Sequence, residues 1–354
     1  MSTLSETINK IVPIEKKAYE NAWNRLAAQA RPAGSLGMLE EAAARLSGIK
    51  KTLDVQLHNK HILTCAGDHG IVDEGVSLFP QEVTAQMVYN FVSGGASINV
   101  LARHAGARVM VADFGVNHDF PSGLPIFHKK IRKGTHNFAK KMAMTTEEAI
   151  AAIEAGIAVV EDLGGASAVD MIATGDMGIG NTSPSTAIIA AFSAIPLHKL
   201  TGRGTGLDDK GLSHKTAVIE AALKRHNPDP KDPLDVLAKV GGFEIAGIAG
   251  IVLGAAACKI PVISDGLIST AGTLIATEMA PAVKDYLFTA HQSVESGHRY
   301  MLARIGVQPL LHLNMRLGEG TGAALAMEIL DAATRVLAEI KTFDEVAIQN
   351  AQQT

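Results

Sequence analysis

"VDMIATGDMGIGNTSPSTAIIAAF", residues 169–192, reads as a strand, a glycine turn and a helix in succession. Its opening run, 169–176, is one of a set of short β-rich apolar segments. The others are "HILTCAG" (61–67), "RVMVADFG" (108–115), "PVISDG" (261–266), "DYLFTA" (285–290) and "PLLHLNM" (309–315). Continuous rather than alternating apolarity marks strands covered on both faces. Helical segments lie between the runs. One is "TTEEAIAAIEAGIAVVEDLGG" (145–165), where Thr145 and Glu148 fit a capping box. Strand–helix alternation predicts an α/β fold with a doubly wound, mostly parallel sheet of about six strands. The chain ends differ. Residues 2–46 read as helices broken at "RPAGSLG" (31–37). The chain reads as helix again after about 323, and Thr342 and Glu345 offer a second capping box. This predicts a small helical domain from residues 1–46 plus 330–354, beside a large α/β nucleotide-binding domain at 47–329.

Bulk properties narrow the function. At 354 residues the chain is long enough for a sizeable core; 47% of it is hydrophobic and only 4% aromatic, which suits aliphatic layers better than a stacking surface for bases. The net charge of −4 supplies no field for nucleic acid, and the short cluster "HKKIRKG" (128–134) reads as a solvated edge. Cys65 and Cys258 sit in apolar runs and read as core residues of a reducing compartment. The first twenty residues hold no apolar signal core, and "IAGIAGIVLGAAA" (245–257) is too short and glycine-rich to span a bilayer. The expectation is a soluble, cytoplasmic protein with no membrane or nucleic-acid partner.

The apolar runs end in polar or glycine-bearing turns: Asp68-His69-Gly70, Asp113, Asp176, Asp265-Gly266, His291 and, after the last run, Glu319. An aspartate at a strand end ordinarily caps the next helix. Six such turns on one edge of a parallel sheet instead mark the crevice where open α/β sheets bind ligands. Three glycine loops stand there: "TGDMGIGNTS" (174–183), "TGRGTGLDDKG" (201–211) and "GEGTGAA" (318–324). Glycines let backbone N–H groups approach an anion, and a helix N-terminus adds a favourable dipole. A phosphate-bearing ligand fits this pattern, with Lys215 as a nearby cation.

Other chemistries lack their signatures. No loop matches G-x-G-x-x-G or G-x-x-x-x-G-K-[ST], which disfavours a nicotinamide-dinucleotide oxidoreductase and a P-loop enzyme. There is no H-E-x-x-H and no paired cysteines, so no metal site is expected. There is no G-x-S-x-G elbow. Acid–base chemistry remains, and Glu319 between two glycines is its candidate. A partly desolvated carboxylate there has a raised pKa and serves as a general base. Equally, it reads as a first-turn acid complementing the helix dipole.

Landmarks over nearly the whole chain carry a resemblance: "RPAGSLGMLE", "AGDHGIVDEGVS", "GDMGIGNTS", "TGRGTGLDD", "SDGLISTAG", "HQSVESGH" and "RLGEGTGAALAM". In this order they resemble the nicotinate-nucleotide–dimethylbenzimidazole phosphoribosyltransferase family. The resemblance implies a homodimeric α/β enzyme that needs no cofactor. It would convert nicotinate mononucleotide and a benzimidazole-type base into an α-ribazole 5′-phosphate and nicotinate, for the lower ligand of cobamides. It implies Glu319 as the base. It places Gly178, Gly180 and Asn181 near ribose or phosphate, assigns Lys215 to the helix after the "GRGTGLDD" loop, and sets Asp265, Gly266 and Ser293 around the nucleotide. Phe79, Gln86 and Met87 become wall residues of the aromatic-base pocket. The family motif commonly reads "GEMGIGNT", where this chain has Asp176. That departure motivates a second reading, a non-catalytic nucleotide-binding partner subunit of such an enzyme.

Overall fold

The computed structural model describes residues 3–165 and 168–346. Among these, seven strands form one sheet: β1 Lys60–Gly67, β2 Ala107–Gly115, β3 Phe127–His128, β4 Met171–Met177, β5 Val262–Ser264, β6 Leu287–His291 and β7 Pro309–Leu311. All neighbours pair in parallel, in the order β3-β2-β1-β4-β5-β6-β7. Each of the six apolar runs holds a strand. The additional one, β3, is a two-residue edge strand, too short to register as an apolar run.

The central strands explain their own composition. β1 is buried along its whole length. One layer over the sheet contains helices Thr146–Asp162, Phe243–Ala257 and Leu267–Met279; helices Ser97–His104 and Thr321–Glu339 lie in a second layer. Phe243–Ala257 is apolar on all sides and buried in every turn, as a helix enclosed between sheet and helix must be. Among the described residues no helix is long and apolar enough to cross a membrane.

From β1 the chain moves outward to β2 and β3. It then returns to the other side of β1 and builds β4 to β7 in the opposite direction. The order therefore reverses between β1 and β4, where the segments leaving the strands diverge and open a crevice.

One expected strand proves shorter. The run 309–315 pairs only through Leu311, at a half-buried edge. Residues 312–318 then leave the sheet edge and follow the loop after β6. The Gln292 N–H donates to the Leu311 carbonyl (2.9 Å), and the Val294 N–H to that of Met315 (3.2 Å). Asn314 bends the path with φ 55°. The segment delivers Glu319 to the end of β4, where its N–H donates to the Asp176 carbonyl (3.2 Å). Glu319 therefore does not sit at the end of a buried strand. A loop carries it from the edge of the sheet to the reversal point.

Segments near the two ends of the chain meet. Gln29 bridges Thr342, the Ala30 N–H donates to the Lys341 carbonyl (2.9 Å), and Thr342 and Glu345 form their capping box. Residue 46 falls inside helix Met38–Lys50, however, and residue 330 inside helix Thr321–Glu339. Helix Leu4–Lys10 packs on Thr146–Asp162 and Phe243–Ala257, against the α/β core. Residues 347–354 lie outside the described part.

Gly175 in β4 lets the Glu319 turn rest directly on the strand. A Cβ there would overlap the Glu319 carbonyl and come within 2.5 Å of the Gly320 nitrogen. Gly175→Ala is expected to lose about 1–3 kcal/mol in urea unfolding, because backbone rather than a pliable side chain must move. Gly123→Ala, with nothing within 4 Å, serves as the neutral control.

Candidate active site

Three consecutive residues around the candidate base have left-handed backbone: Gly318 (φ 84°), Glu319 (φ 63°) and Gly320 (φ 96°). Glycine takes this conformation freely, whereas for a glutamate it costs about 1–2 kcal/mol. The turn is held on several sides. The Glu319 carbonyl accepts from Thr64 Oγ1 (3.0 Å), and its N–H is tied to β4 as described. Glu319 Oε2 accepts from the Ile98 N–H (3.1 Å), an amide in the first turn of helix Ser97–His104. Burial pushes the Glu319 pKa up, and the Ile98 amide pulls it back. Both sequence-level interpretations of this carboxylate thus have a physical basis. It is desolvated at a crevice, and it complements a helix terminus. That helix is Ser97–His104 rather than its own.

The N-terminus of its own helix, Thr321–Glu339, is capped by Asp265 from the end of β5. Oδ2 accepts from the Gly320 N–H (3.1 Å) and Oδ1 from the Ala323 N–H (2.9 Å). Burial pushes the Asp265 pKa to about 7; the amides of Ala323, Gly320 and Gly322 oppose the shift, and the Glu319 charge adds to it. His291 Nε2 lies 3.8 Å from Asp265 Oδ1, beyond hydrogen-bond reach. Burial lowers the His291 pKa, and the Gln292 backbone raises it.

Asp176 ends β4. Its Oδ2 accepts from Asn181 Nδ2 (3.0 Å), while the buried Oδ1 has no partner. Burial first, then the neighbouring charges of Asp265 and Glu244, push its pKa well up and favour the protonated acid. The "GIGN" loop folds back over the end of β1, since a Cβ on Gly178 would overlap the Gly67 carbonyl. The Ile179 N–H donates to Thr84 Oγ1 (3.1 Å). Asn181 then opens helix Thr182–Ala191.

Beside that helix terminus, Lys215 on helix Asp209–His226 has no exposed surface. Its Nζ donates to Thr182 Oγ1 (2.6 Å) and the Gly202 carbonyl (3.3 Å). Burial lowers its pKa to about 8, against the raising effect of Glu295. Glu295 Oε1 accepts from the Gly204 N–H (3.1 Å), and Arg316 reaches the Gly204 carbonyl (2.9 Å) from across the mouth. A helix N-terminus, a buried ammonium with a third proton to donate and a glycine loop are groups of the kind that hold a phosphate.

These parts enclose one cavity of about 380 Å³. Its lining includes the apolar side chains of Val76, Phe79, Val83, Met87 and Leu317 and the polar ones of Asp176, His291 and Glu319. Nine of the twelve expected residues line it: Glu319, Asp176, Gly178, Gly180 and Asn181, together with Gly266, Ser293, Phe79 and Met87. Lys215 and Asp265 lie behind the lining. Gln86 is elsewhere, in a depression with Asp68, Tyr89, Asn117 and His118. Val83 and Met87 are one turn apart and share the cavity face of helix Val83–Ser93, and the 100° helical step aims Gln86 away from it.

Two of the strand-end acids are structural. Asp113 accepts from the Gly115 and Val116 amides and pairs with Lys130, and Asp68 accepts from the Asn117 N–H (2.7 Å). His291, one of the polar strand-end turns, also lines the cavity, as do Thr182, Glu295, Arg316 and Leu317, which the sequence did not single out. "HQSVESGH" held the signal for two of them. His298 in that segment accepts the Ser293 N–H at Nδ1 (2.8 Å) and meets Thr270 Oγ1 with Nε2 (2.9 Å). It is therefore neutral, in keeping with a pKa lowered to about 3 by burial and then by His291.

A corner of anion-binding groups beside apolar lining suits a transferase acting on a phosphorylated ribose, and the comparisons with known proteins show that class. The model of a family described as "Phosphoribosyltransferase" matches residues 11–348. A nicotinate-nucleotide–dimethylbenzimidazole phosphoribosyltransferase of Citrifermentans bemidjiense is 56% identical over 351 residues, covering 99% of this chain and 100% of its own. The Geobacter sulfurreducens protein of the same name is 54% identical over 348 residues, covering 98% and 99%. The crystal structure of the Thermus thermophilus protein of that name superposes with a TM-score of 0.90 at 41% identity, covering 96% of this chain and 100% of that one. The chain belongs to the nicotinate-nucleotide–dimethylbenzimidazole phosphoribosyltransferase family.

The Asp265 pKa of about 7 exceeds that of an unfolded aspartate, about 4. The folded state thus binds this proton more tightly. The group's stabilising effect is complete below about pH 4 and is lost as pH rises through about 7. The stability advantage of wild type over Asp265→Asn should therefore grow between about pH 8 and about pH 5 in urea melts. A gap that narrows on acidification would contradict the assignment.

Proposed function

We propose that this protein transfers the 5-phosphoribosyl group of nicotinate mononucleotide to a benzimidazole-type base. The products are an α-ribazole 5′-phosphate, destined for the lower ligand of a cobamide, and nicotinate. The observation that carries the reading is the position of Glu319. It is a desolvated carboxylate fixed at the strand-order reversal, beside both an apolar slot and a phosphate cradle.

The phosphate would lie against the amino end of helix Thr182–Ala191, with the Lys215 ammonium behind Gly204. Asp176 and Asn181 would flank the ribose. The protonated form favoured at Asp176 has a hydroxyl to donate and adds no negative charge beside the phosphate. The flat acceptor would enter between Val76, Phe79, Val83, Met87 and Leu317. One ring nitrogen attacks the anomeric carbon as the bond from that carbon to the nicotinate nitrogen breaks. The bonding pair leaves with nicotinate, and the proton on the other ring nitrogen passes to the Glu319 carboxylate. Attack opposite the leaving group turns the β-nucleotide into the α-product. The centre is oxocarbenium-like, so alignment in a water-poor pocket supplies much of the rate. The same reading carries a cytoplasmic homodimer, and light scattering at about twice the chain mass of 37.1 kDa would support the dimer.

The test is release of free nicotinate from nicotinate mononucleotide, followed by chromatography with a panel of benzimidazoles, purines and phenols. Wild type should turn over with a benzimidazole; no release with any acceptor would leave the non-catalytic subunit as the reading. Glu319→Gln should keep the fold and lose on the order of 10²-fold or more in turnover. The base must be ionised to work, so kcat/KM of wild type should rise with pH through an inflection above the ordinary glutamate value of 4.5. That limb should be absent from Glu319→Gln.

A further inference from the structure

Resting on the reading of Glu319 as base, we infer that Asp265 is a positioning residue whose carboxylate clamps the left-handed turn bearing that base, and does not bind nucleotide. Asp265 is fully buried and does not line the cavity; Gly266, His291 and Glu319 form the surface in front of it. Its two oxygens are taken by backbone amides on the helix side of the base, Gly320 N–H at 3.1 Å and Ala323 N–H at 2.9 Å. His291 Nε2 stays 3.8 Å away.

The turn needs such a clamp. Glu319 is strained at φ 63°, and both flanking glycines sit in the same left-handed region. On its N-terminal side the turn is fixed by Asp176 and Gly175. On its C-terminal side the amides that emerge from it point at Asp265. Gly322 permits the approach, since any Cβ there would overlap the His291 ring and lie 2.9 Å from Asp265 Oδ1. A ligand-binding carboxylate would reach the cavity surface. Asp265 does not line the cavity, and each of its oxygens accepts an amide of the chain that holds the base.

Asp265→Asn tests this, because a carboxamide of the same shape must present an NH2 group to one of the two amides. The expected result is a fall in kcat on the order of 10²-fold, as for a misplaced catalytic group. The KM for nicotinate mononucleotide, and its affinity measured calorimetrically without acceptor, should change less than about threefold. In the Glu319→Gln background the same substitution should cost little more, because a clamp on an absent base has nothing left to position. A large loss of nucleotide affinity would overturn the inference in favour of direct contact. So would wild-type kcat, or an equal loss in the Glu319→Gln background. Should Asp265→Asn not fold, Asp265→Ser, neutral with a single acceptor, is put through the same comparison. Nicotinate release by wild type is scored separately, so failure of the functional reading is distinguishable from failure of the clamp.

Discussion

The carboxylate of Glu319, the base of the mechanism proposed above, is buried and held on a left-handed backbone that is met from several sides. Glu319 occupies a conformation that an L-residue avoids, between glycines that take it freely. Such a turn persists only where its surroundings over-determine it. Gly175 lets it lie on β4, Thr64 and the Asp176 carbonyl hold its peptide groups, Ile98 holds its side chain, and Asp265 holds the start of the following helix. Removing any one support leaves the others to bear a conformation of unfavourable intrinsic energy.

The electrostatics follow from the same crowding. Asp176, Asp265, Glu244 and Glu319 are all buried around the reversal point. Four ionised carboxylates in so small a volume would be prohibitive. The structure treats each differently. Glu244 meets His69 at 2.7 Å, Asp265 is surrounded by amides, Asp176 is pushed toward its neutral form, and Glu319 keeps a single amide partner at the lip of the cavity. Glu319 is therefore the acid in this group best placed to exchange a proton with a bound ligand.

Much of this was legible in the sequence because burial leaves a direct trace. β1 and β4 are covered on both faces, and their apolar runs read as strands for that reason. The capping boxes at Thr145 and Thr342 are local, and local chemistry is readable. Three features were not. β3 pairs through two residues and leaves no pattern. The tail of "PLLHLNM" is apolar like a strand, yet Asn314 turns left-handed and the segment crosses the sheet edge, a path set by tertiary hydrogen bonds to the loop after β6. The family resemblance puts Gln86 in the pocket wall along with Met87, but helical phase separates them. Asp265 was recognised as a site residue from its strand-end position and the family resemblance. The helix it caps lies more than fifty residues further along the chain, a relation no local pattern reveals.

The long crossing from β7 also explains why the proposed base is not simply a residue at the end of β1 or β4. At a reversal point the segments leaving the two central strands diverge. One runs to helix Val83–Ser93, which brings Val83 and Met87 to the cavity, and the other to helix Thr182–Ala191, which brings Asn181 and Thr182. In the proposed reaction both strands are thus committed to gripping the two ends of the reactants. A proton acceptor between them has to arrive from elsewhere, and the segment after the far edge strand is free to bring it. Its entry requires a tight reversal into helix Thr321–Glu339, which in turn requires glycine on both sides of the glutamate. In the mechanism proposed above, the sequence G-E-G is the consequence of inserting a base where the sheet itself offers no position for one.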